Sequence, residues 1–304
     1  MPADFREINS FQMNVALFGK SIVPSDAPYI QALLHKLGSL RAQVFIHSHF
    51  YRIIRELVIF ETKPVQFSSQ TDIKGEVDFL ISVGGDGTLL DTITLVGDTC
   101  IPIIGINMGR LGFLSGIAKD EILPAIDEII EKKYSIDQRT LLRLETSNHL
   151  FGDFNYALND ITVYKNTPIS LLTIKTYIND EFLNTYWADG LIVATPTGST
   201  AYSLSCTGPV LTPDSANFVI TPIASHNLTV RPIVVPDDSK ISLFIESRGF
   251  ECFVGLDSRI EKIDNTIRLD ISKENFKINL LRLSNQFFYK TIREKLNWGL
   301  DIRN

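Results

Sequence analysis

Cysteine is scarce in this chain of 304 residues: Cys100, Cys206 and Cys252 are all it has, and no two form a C-x-x-C pair. An odd count without paired spacing excludes a disulfide framework and a cysteine-built zinc site, and it fits free thiols in a reducing compartment. Long apolar runs are lacking too. No stretch reaches the roughly 18 uninterrupted apolar residues that suggest a membrane span. Residues 1–10 carry Asp4, Arg6 and Glu7 and have no apolar centre, so they do not read as a secretory leader. A cytoplasmic protein without a membrane partner is the expectation. Positive charge is not in surplus either: 29 Lys and Arg face 35 Asp and Glu, a net charge of −6. Surfaces that track nucleic-acid backbones are basic, so nucleic acid is not the expected partner.

What is present suits an ordinary globular chain. Apolar residues make up 44% and charged residues 21%, a balance that builds cores and excludes a disordered chain. Domains usually span roughly 100–200 residues, so the length predicts two. In the first half, apolar runs at 15–18, 43–46, 79–83 and 101–106 alternate with helical spacing at 27–40, 50–58, 88–96 and 117–132. Strands alternating with helices predict a Rossmann-like α/β domain whose parallel sheet is covered on both faces. Past Thr140 the segments are short and β-rich: 142–146, 154–163, 171–178, 191–194, 218–221, 233–235, 241–245 and 266–271, with one helical stretch at 198–204. They predict an all-β, sandwich-like domain. A strand at 276–283 and an amphipathic helix at 286–298 then restore the first domain's character. The expected division is an α/β domain over 1–140, a β-rich domain over 141–275, and a tail over 276–304 that docks back on the first.

Four blocks carry chemistry. Gly84-Gly85-Asp86-Gly87-Thr88 lies between a buried strand and a helix. Ligands of open parallel sheets bind off the carboxyl ends of strands, and glycines beside a helix N-terminus let backbone N–H groups close on phosphate. Asp86 is a poor choice for a simple anion cradle. A carboxylate there points to work on a hydroxyl or a metal; the plain alternative is a cap on the following helix. Asn107-Met108-Gly109-Arg110-Leu111-Gly112-Phe113-Leu114 follows the next strand and offers the ring of Phe113 for stacking or for the core. Asn159-Asp160 would reach one ligand together only at a bend or strand end, because adjacent strand side chains face opposite ways. The segment 189–205 runs from Asp189 through Thr195-Pro196-Thr197-Gly198 to Ser205 and packs in seven hydroxyl-bearing side chains. Hydroxyls suit ribose and adenine edges, and Tyr202 offers a stacking face.

Taken together, these blocks resemble the NAD kinase family. Its hallmarks are a GGDGT loop, an NxGxLGFL segment, an Asn-Glu or Asn-Asp pair and a DGxxxxTPTGSTAYSxS stretch, and all occur here in that order. Ser225-His226-Asn227-Leu228 with Arg231-Pro232, and a C-terminal run from Phe288 to Gly299, extend the likeness over about residues 14–299. GGDGT alone is shared with lipid kinases and phosphofructokinases; the TPTGSTAYSLS run is far more specific. The resemblance implies transfer of the γ-phosphoryl group of ATP to the 2′-hydroxyl of the adenosine ribose of NAD. It implies Asp86 as proton acceptor, and Gly84, Gly85, Gly87 and Thr88 around phosphates. Phe113 would lie against NAD, and Asn159 and Asp160 would bind adenosine and ribose. Asp189, Thr200, Ala201, Tyr202, Ser203, Leu204 and Ser205 would line the NAD site, with His226 approaching it. It further implies Mg²⁺ carried with ATP and a homodimer or homotetramer.

Three positions depart from the family pattern. Thr207-Gly208-Pro209 stands where relatives have Gly-Gly-Pro, Asp160 replaces the commoner Glu, and Trp187 lies where relatives often have Arg. The last leaves the choice between NAD and NADH open. Two other readings compete: a lipid or sugar kinase of the wider GGDGT superfamily, and a non-catalytic dinucleotide-binding protein. The first gives no reason for the 195–205 run, and the second none for Asp86.

Overall fold

The computed structural model describes residues 13–109, 112–166, 171–246, 251–263, 267–284 and 286–299. Residues 1–10, Arg110 and Leu111 of the second block, Thr266 and the end of the 276–304 tail, all read above, lie outside them. The chain divides into two compact units, Met1–Asp137 with Ile278–Asn304, and Gln138–Lys277.

The first unit is built on an eight-stranded sheet. Its order is Val65–Phe67, Gln43–His47, Asn14–Gly19, Phe79–Val83, Ile103–Asn107, Ile278–Leu283 and Tyr134–Arg139, with Ile117–Ala118 beside Ile103–Asn107. The pairs from Val65–Phe67 through Ile278–Leu283 are parallel. Phe79–Val83 and Ile103–Asn107 are buried along their whole length. Continuous apolar strands of this kind belong to a parallel sheet covered on both faces. The covering helices bury one stripe each: Ile30, Leu33, Leu34 and Leu37 on Ala27–Ser39, and Ile122, Ala125, Ile126 and Ile129 on Ile122–Ile130. These are the i, i+3, i+4, i+7 positions of a helix facing a core. Leu281 and Leu283 of the tail strand join that core. The order runs outward from Asn14–Gly19 and then reverses to Phe79–Val83, so the crevice at a strand-order reversal opens at their carboxyl ends.

Several boundaries differ from the sequence expectation; the helix expected at 50–58, for example, runs Ser48–Ile54. The helix expected at 88–96 begins at Asp86, so the acidic residue of GGDGT is its first helical residue. The helix expected at 117–132 is a strand, Ile117–Ala118, a 3₁₀ turn, Lys119–Glu121, and a helix, Ile122–Ile130. Pro124 explains this, since proline is tolerated in a first helical turn but not in an interior.

The second unit holds two six-stranded antiparallel sheets. One runs Ile233–Pro236, Asn217–Ile223, Gly190–Ala194, Asp160–Lys165, Cys252–Leu256, Arg259–Ile263. The other runs Glu181–Ala188, Leu172–Ile178, Ile241–Glu246, Arg268–Lys273, Leu142–Glu145, Tyr156–Ala157. Residues of both, among them Leu144, Ile174 and Leu243 from one and Ile161, Val193 and Val254 from the other, form one core. The fold is an α/β unit and a β-sandwich-like unit. The strand expected at 154–163 is two strands: Tyr156–Ala157 lies in one sheet and Asp160–Lys165 in the other. The chain changes sheets through a bend at Leu158 and Asn159.

Candidate active site

In the first unit, two loops leave the carboxyl ends of neighbouring strands. Val83 pairs with Ile106, and the Gly84 N–H donates to the Ile106 carbonyl at 2.9 Å. The helix Asp86–Val96 is seated on its strand by buried hydroxyls: Thr92 Oγ1 donates to Ser82 Oγ at 2.9 Å. The Asp86 side chain does not cap its own helix. It reaches the second loop, where Phe113 N–H donates to Oδ2 at 2.8 Å, and Leu114 and Ser115 N–H donate to Oδ1 at 3.2 and 2.8 Å. Gly112 is required there, because a Cβ would run into the Asp86 carboxylate. The carboxylate thus folds the segment 112–115 around itself and fixes where Phe113 leaves the backbone. Gly85 and Gly87 are exposed, and a Cβ on either would meet nothing within 4 Å. Gly84 and Thr88 are half-buried. An open backbone at the start of a helix of eleven residues suits phosphate.

In the second unit, the third and fourth blocks come together at the sheet-changing corner. Thr195 N–H donates to the Asn159 carbonyl at 2.9 Å, and Thr195 Oγ1 donates to the Leu158 carbonyl at 2.5 Å. Gly198 packs directly on Asn159, whose Cα would lie 2.8 Å from a Cβ added there. Several hydroxyls of the fourth block serve the turn itself. Ser199 Oγ donates to the Pro196 carbonyl at 2.6 Å, Thr200 Oγ1 to the Thr197 carbonyl at 3.1 Å, and Ser203 Oγ pairs with Thr221 Oγ1 at 2.8 Å. Buried Arg139 holds Thr197 Oγ1 at 3.1 Å. Tyr202 and Ser205 are exposed, Tyr202 by 48%, and Ala201 and Leu204 are half-buried. Burial, then the neighbouring Cys206, Asp160 and Asp189, push the Tyr202 phenol up, so it stays neutral. Lys165 Nζ pairs with Asp189 Oδ1 at 2.5 Å. The exposed His226 donates its backbone N–H to the Trp187 carbonyl at 2.8 Å. Thr207, where the family has glycine, takes φ +66°, a left-handed conformation that a β-branched residue adopts under strain.

Asp160 is 8% exposed, and its Oδ1 accepts the Thr162 hydroxyl at 2.8 Å. Burial pushes its carboxyl up from 3.8 to about 7; the Thr162 hydrogen bond opposes this and the Asp257 charge adds to it. The folded protein therefore holds a proton that the unfolded chain has already released. The stability this proton confers is full below about pH 4 and is lost as pH rises through the folded value. In urea unfolding, the stability difference between wild type and Asp160→Asn should fall from pH 5 to pH 8. Parallel stability curves would show that Asp160 titrates as an ordinary carboxyl.

Gly112 belongs to the second block, but its packing against Asp86 is visible only in the structure. Two further contributors, Arg139 and Asp257, lie outside the four blocks, and Arg139 acts through its buried hydrogen bond to Thr197. Asp257, in the turn after Cys252–Leu256, accepts N–H bonds from Leu158, Asn159 and Asp160 at 2.8, 2.7 and 3.3 Å. The signal available for it was an Asp-Ser turn, which marks a hairpin and no more. A cavity of about 510 Å³ lined by His149, Phe151, Phe154, Arg259 and neighbouring residues includes no residue of the four blocks. Among the described residues no three of His, Cys, Asp and Glu converge as a metal cage.

Known proteins resemble this chain in sequence and in fold. Residues 58–134 match the ATP-NAD kinase N-terminal domain, and residues 158–283 match the ATP-NAD kinase C-terminal domain. The chain is 46% identical over 293 residues to the NAD kinase of Cytophaga hutchinsonii, covering 96% of this chain and 100% of that one. It is 46% identical over 294 residues to the NAD kinase of Flavobacterium psychrophilum, with the same shares covered. Yeast NADH kinase complexed with NADH matches with a TM-score of 0.84 at 26% identity, covering 96% of this chain and 89% of that one. An NAD kinase from Archaeoglobus fulgidus in complex with ATP matches at 0.71 and 25% identity, covering 94% and 99%. On identity of this extent over nearly the full length of both chains, the protein belongs to the NAD kinase family.

Proposed function

We propose that this protein is an NAD kinase that transfers the γ-phosphoryl group of ATP to the 2′-hydroxyl of the adenosine ribose of NAD, giving NADP. The observation that carries this is 46% identity to an NAD kinase over its whole length, with all four blocks intact. The 195–205 run disfavours a lipid or sugar kinase, which gives no reason for it. Identification of the product formed from MgATP and NAD tests the reading: NADP is expected, and a phosphorylated lipid or sugar without NADP would overturn it.

Phosphoryl transfer asks the protein chiefly for positioning and charge stabilisation. Gly84, Gly85, Gly87 and Thr88 supply backbone at a helix N-terminus for phosphate oxygens. Asp86 orients the ribose hydroxyl and accepts its proton. A carboxylate offers about four lone-pair sites; three accept the amides of Phe113, Leu114 and Ser115, which leaves one for the hydroxyl. Phe113 packs against NAD. Asn159, Asp160, Asp189 and the exposed face of residues 200–205 take the adenosine portion, and His226 lies at its margin. Mg²⁺ arrives on the phosphates of ATP and neutralises their charge. No described helix is long and apolar enough to cross a membrane, and the reading places a homodimer or homotetramer in the cytoplasm.

The exposed ring of Tyr202 carries the base-stacking part of this reading. Tyr202→Ala should cost about 1–3 kcal/mol of binding, the scale of a base–aromatic stack. The loss should appear as a raised KM for NAD with kcat little changed, because stacking is alike in ground and transition states. A folded variant with the wild-type KM would mean that Tyr202 meets no base.

A further inference from the structure

The corner where Asn159 and Asp160 stand is held from outside by a hairpin. Strands Cys252–Leu256 and Arg259–Ile263 pair with Leu256 opposite Arg259, leaving Asp257 and Ser258 as the connection. Asp257 takes φ +53°, a left-handed conformation in which glycine is the cheapest residue and aspartate is tolerated. Its carboxylate gives the position a use that glycine could not. Oδ2 accepts from Leu158 N–H at 2.8 Å, and Oδ1 from Asn159 and Asp160 N–H at 2.7 and 3.3 Å. The Asp257 N–H in turn donates to the Asp160 carbonyl at 3.1 Å.

Three consecutive amides converging on one carboxylate require a bend. Leu158 and Asn159 belong to neither sheet, because the chain is passing between the sheets at this point. Without Asp257 their amides would be buried or half-buried donors lacking partners, which a fold avoids. Two residues on, the Arg259 guanidinium donates to the carbonyls of Phe154 and Tyr156, and lies 5.9 Å from the rings of Phe151 and Tyr156. One hairpin thus fastens the strand that enters the corner as well as the corner itself. The fourth block presses from the other side, through Thr195 and Gly198.

We infer that Asp257 is a positioning residue of the NAD subsite: its carboxylate sets the sheet-changing bend at Leu158 and Asn159, and with it the stance of the Asn159 and Asp160 side chains. This rests on the reading above in which those two side chains bind the adenosine portion of NAD. Asp257 acts through its neighbours and its oxygens are occupied by backbone, so it is not a catalytic residue. The same bend answers the difficulty that adjacent strand residues face opposite ways: Asn159 precedes the strand that Asp160 begins.

The test uses the full chain with Asp257→Ala, Asp257→Asn and Asn159→Ala, and Ile245→Val as a destabilised control in the same unit. Steady-state KM for NAD and for ATP, kcat, melting and amide hydrogen exchange are measured for each. Asp257→Ala should raise KM for NAD by at least about tenfold, the scale of one lost charge-assisted hydrogen bond, with KM for ATP within about twofold. Asp257→Asn should show a smaller rise, because its remaining oxygen can still accept from Asn159 and Asp160. Exchange should quicken at the amides of residues 158–160 in both, while Ile245→Val keeps the wild-type KM. Should Asp257→Ala not fold, Asp257→Asn carries the test. If the folded Asp257 variants keep the wild-type KM for NAD while Asn159→Ala raises it, the inference is wrong and the subsite reading stands. If Asn159→Ala also leaves KM unchanged, the subsite reading falls and takes the inference with it. Equal rises in both KM values, or a rise matched by Ile245→Val, would reduce Asp257 to a stability role.

Discussion

Asp86→Asn should lower kcat by at least about 10²-fold while changing NAD affinity by less than about tenfold. A ribose hydroxyl is a weak nucleophile, and a positioned base contributes on the order of 10²–10⁴ in rate. The structure gives this carboxylate a second task, since it gathers the amides of Phe113, Leu114 and Ser115. The two tasks separate by their kinetic signatures. An asparagine can keep its oxygen on Leu114 and Ser115 and turn its NH₂ toward Phe113. The loop then loses one of three anchors and the hydroxyl loses its base. If Asp86 were an anchor alone, the variant would show a displaced Phe113, a higher KM for NAD and a lower melting temperature, with kcat near wild type. If it is the base, kcat carries the loss. Isothermal titration with NAD beside steady-state rates reads both quantities, and a kcat near wild type would leave the proton acceptor unidentified.

That second task was not legible in the sequence, and the reason is physical. Motif reading places residues along the chain, whereas Asp86 meets residues 113–115 across a sheet edge. Asp257 is the same case in the second unit: two carboxylates, each holding three consecutive amides of a distant loop, one recognised for its glycine-rich setting and the other passed over as a turn residue. The buried strands were plain. The run 79–83 was read to the residue, because a strand covered on both faces is apolar throughout. The strands that escaped, Val65–Phe67, Tyr134–Arg139, Glu181–Ala188 and Arg259–Ile263, all lie at sheet edges. One side of an edge strand faces solvent, so its sequence is mixed and its signal weak. Cys252–Leu256 is an interior strand, hidden by Gly255, which breaks its apolar run. The corner at Leu158 and Asn159 sat inside a single expected strand, since a chain that leaves one sheet and enters the next keeps β composition on both sides of the bend. For the fourth block, hydroxyl content was read as ligand chemistry, yet Ser199, Thr200 and Ser203 spend theirs on the turn and on Thr221.

Removing the divalent metal should abolish turnover, not merely slow it. In the proposed reading, the charge that neutralises the transferring phosphates arrives with ATP as Mg²⁺. Metal ions that bridge phosphate oxygens carry much of the stabilisation of a phosphoryl-transfer transition state. EDTA in excess of Mg²⁺ should leave NAD binding measurable by titration while product formation falls to background, and restored Mg²⁺ should recover it. Full turnover in EDTA would place the compensating charge on the protein.

The most direct measurement incubates the purified chain with MgATP and, in parallel, NAD⁺, NADH, a diacylglycerol dispersion and a hexose, and identifies the phosphorylated product by mass and by a dehydrogenase specific for NADP. The account predicts NADP⁺ from NAD⁺, phosphorylated at the adenosine 2′-hydroxyl, with no phosphorylated lipid or sugar, and no product from Asp86→Asn above about a hundredth of the wild-type rate. A phosphorylated lipid or sugar without NADP⁺, or tight NAD binding with no turnover of any acceptor, would contradict it.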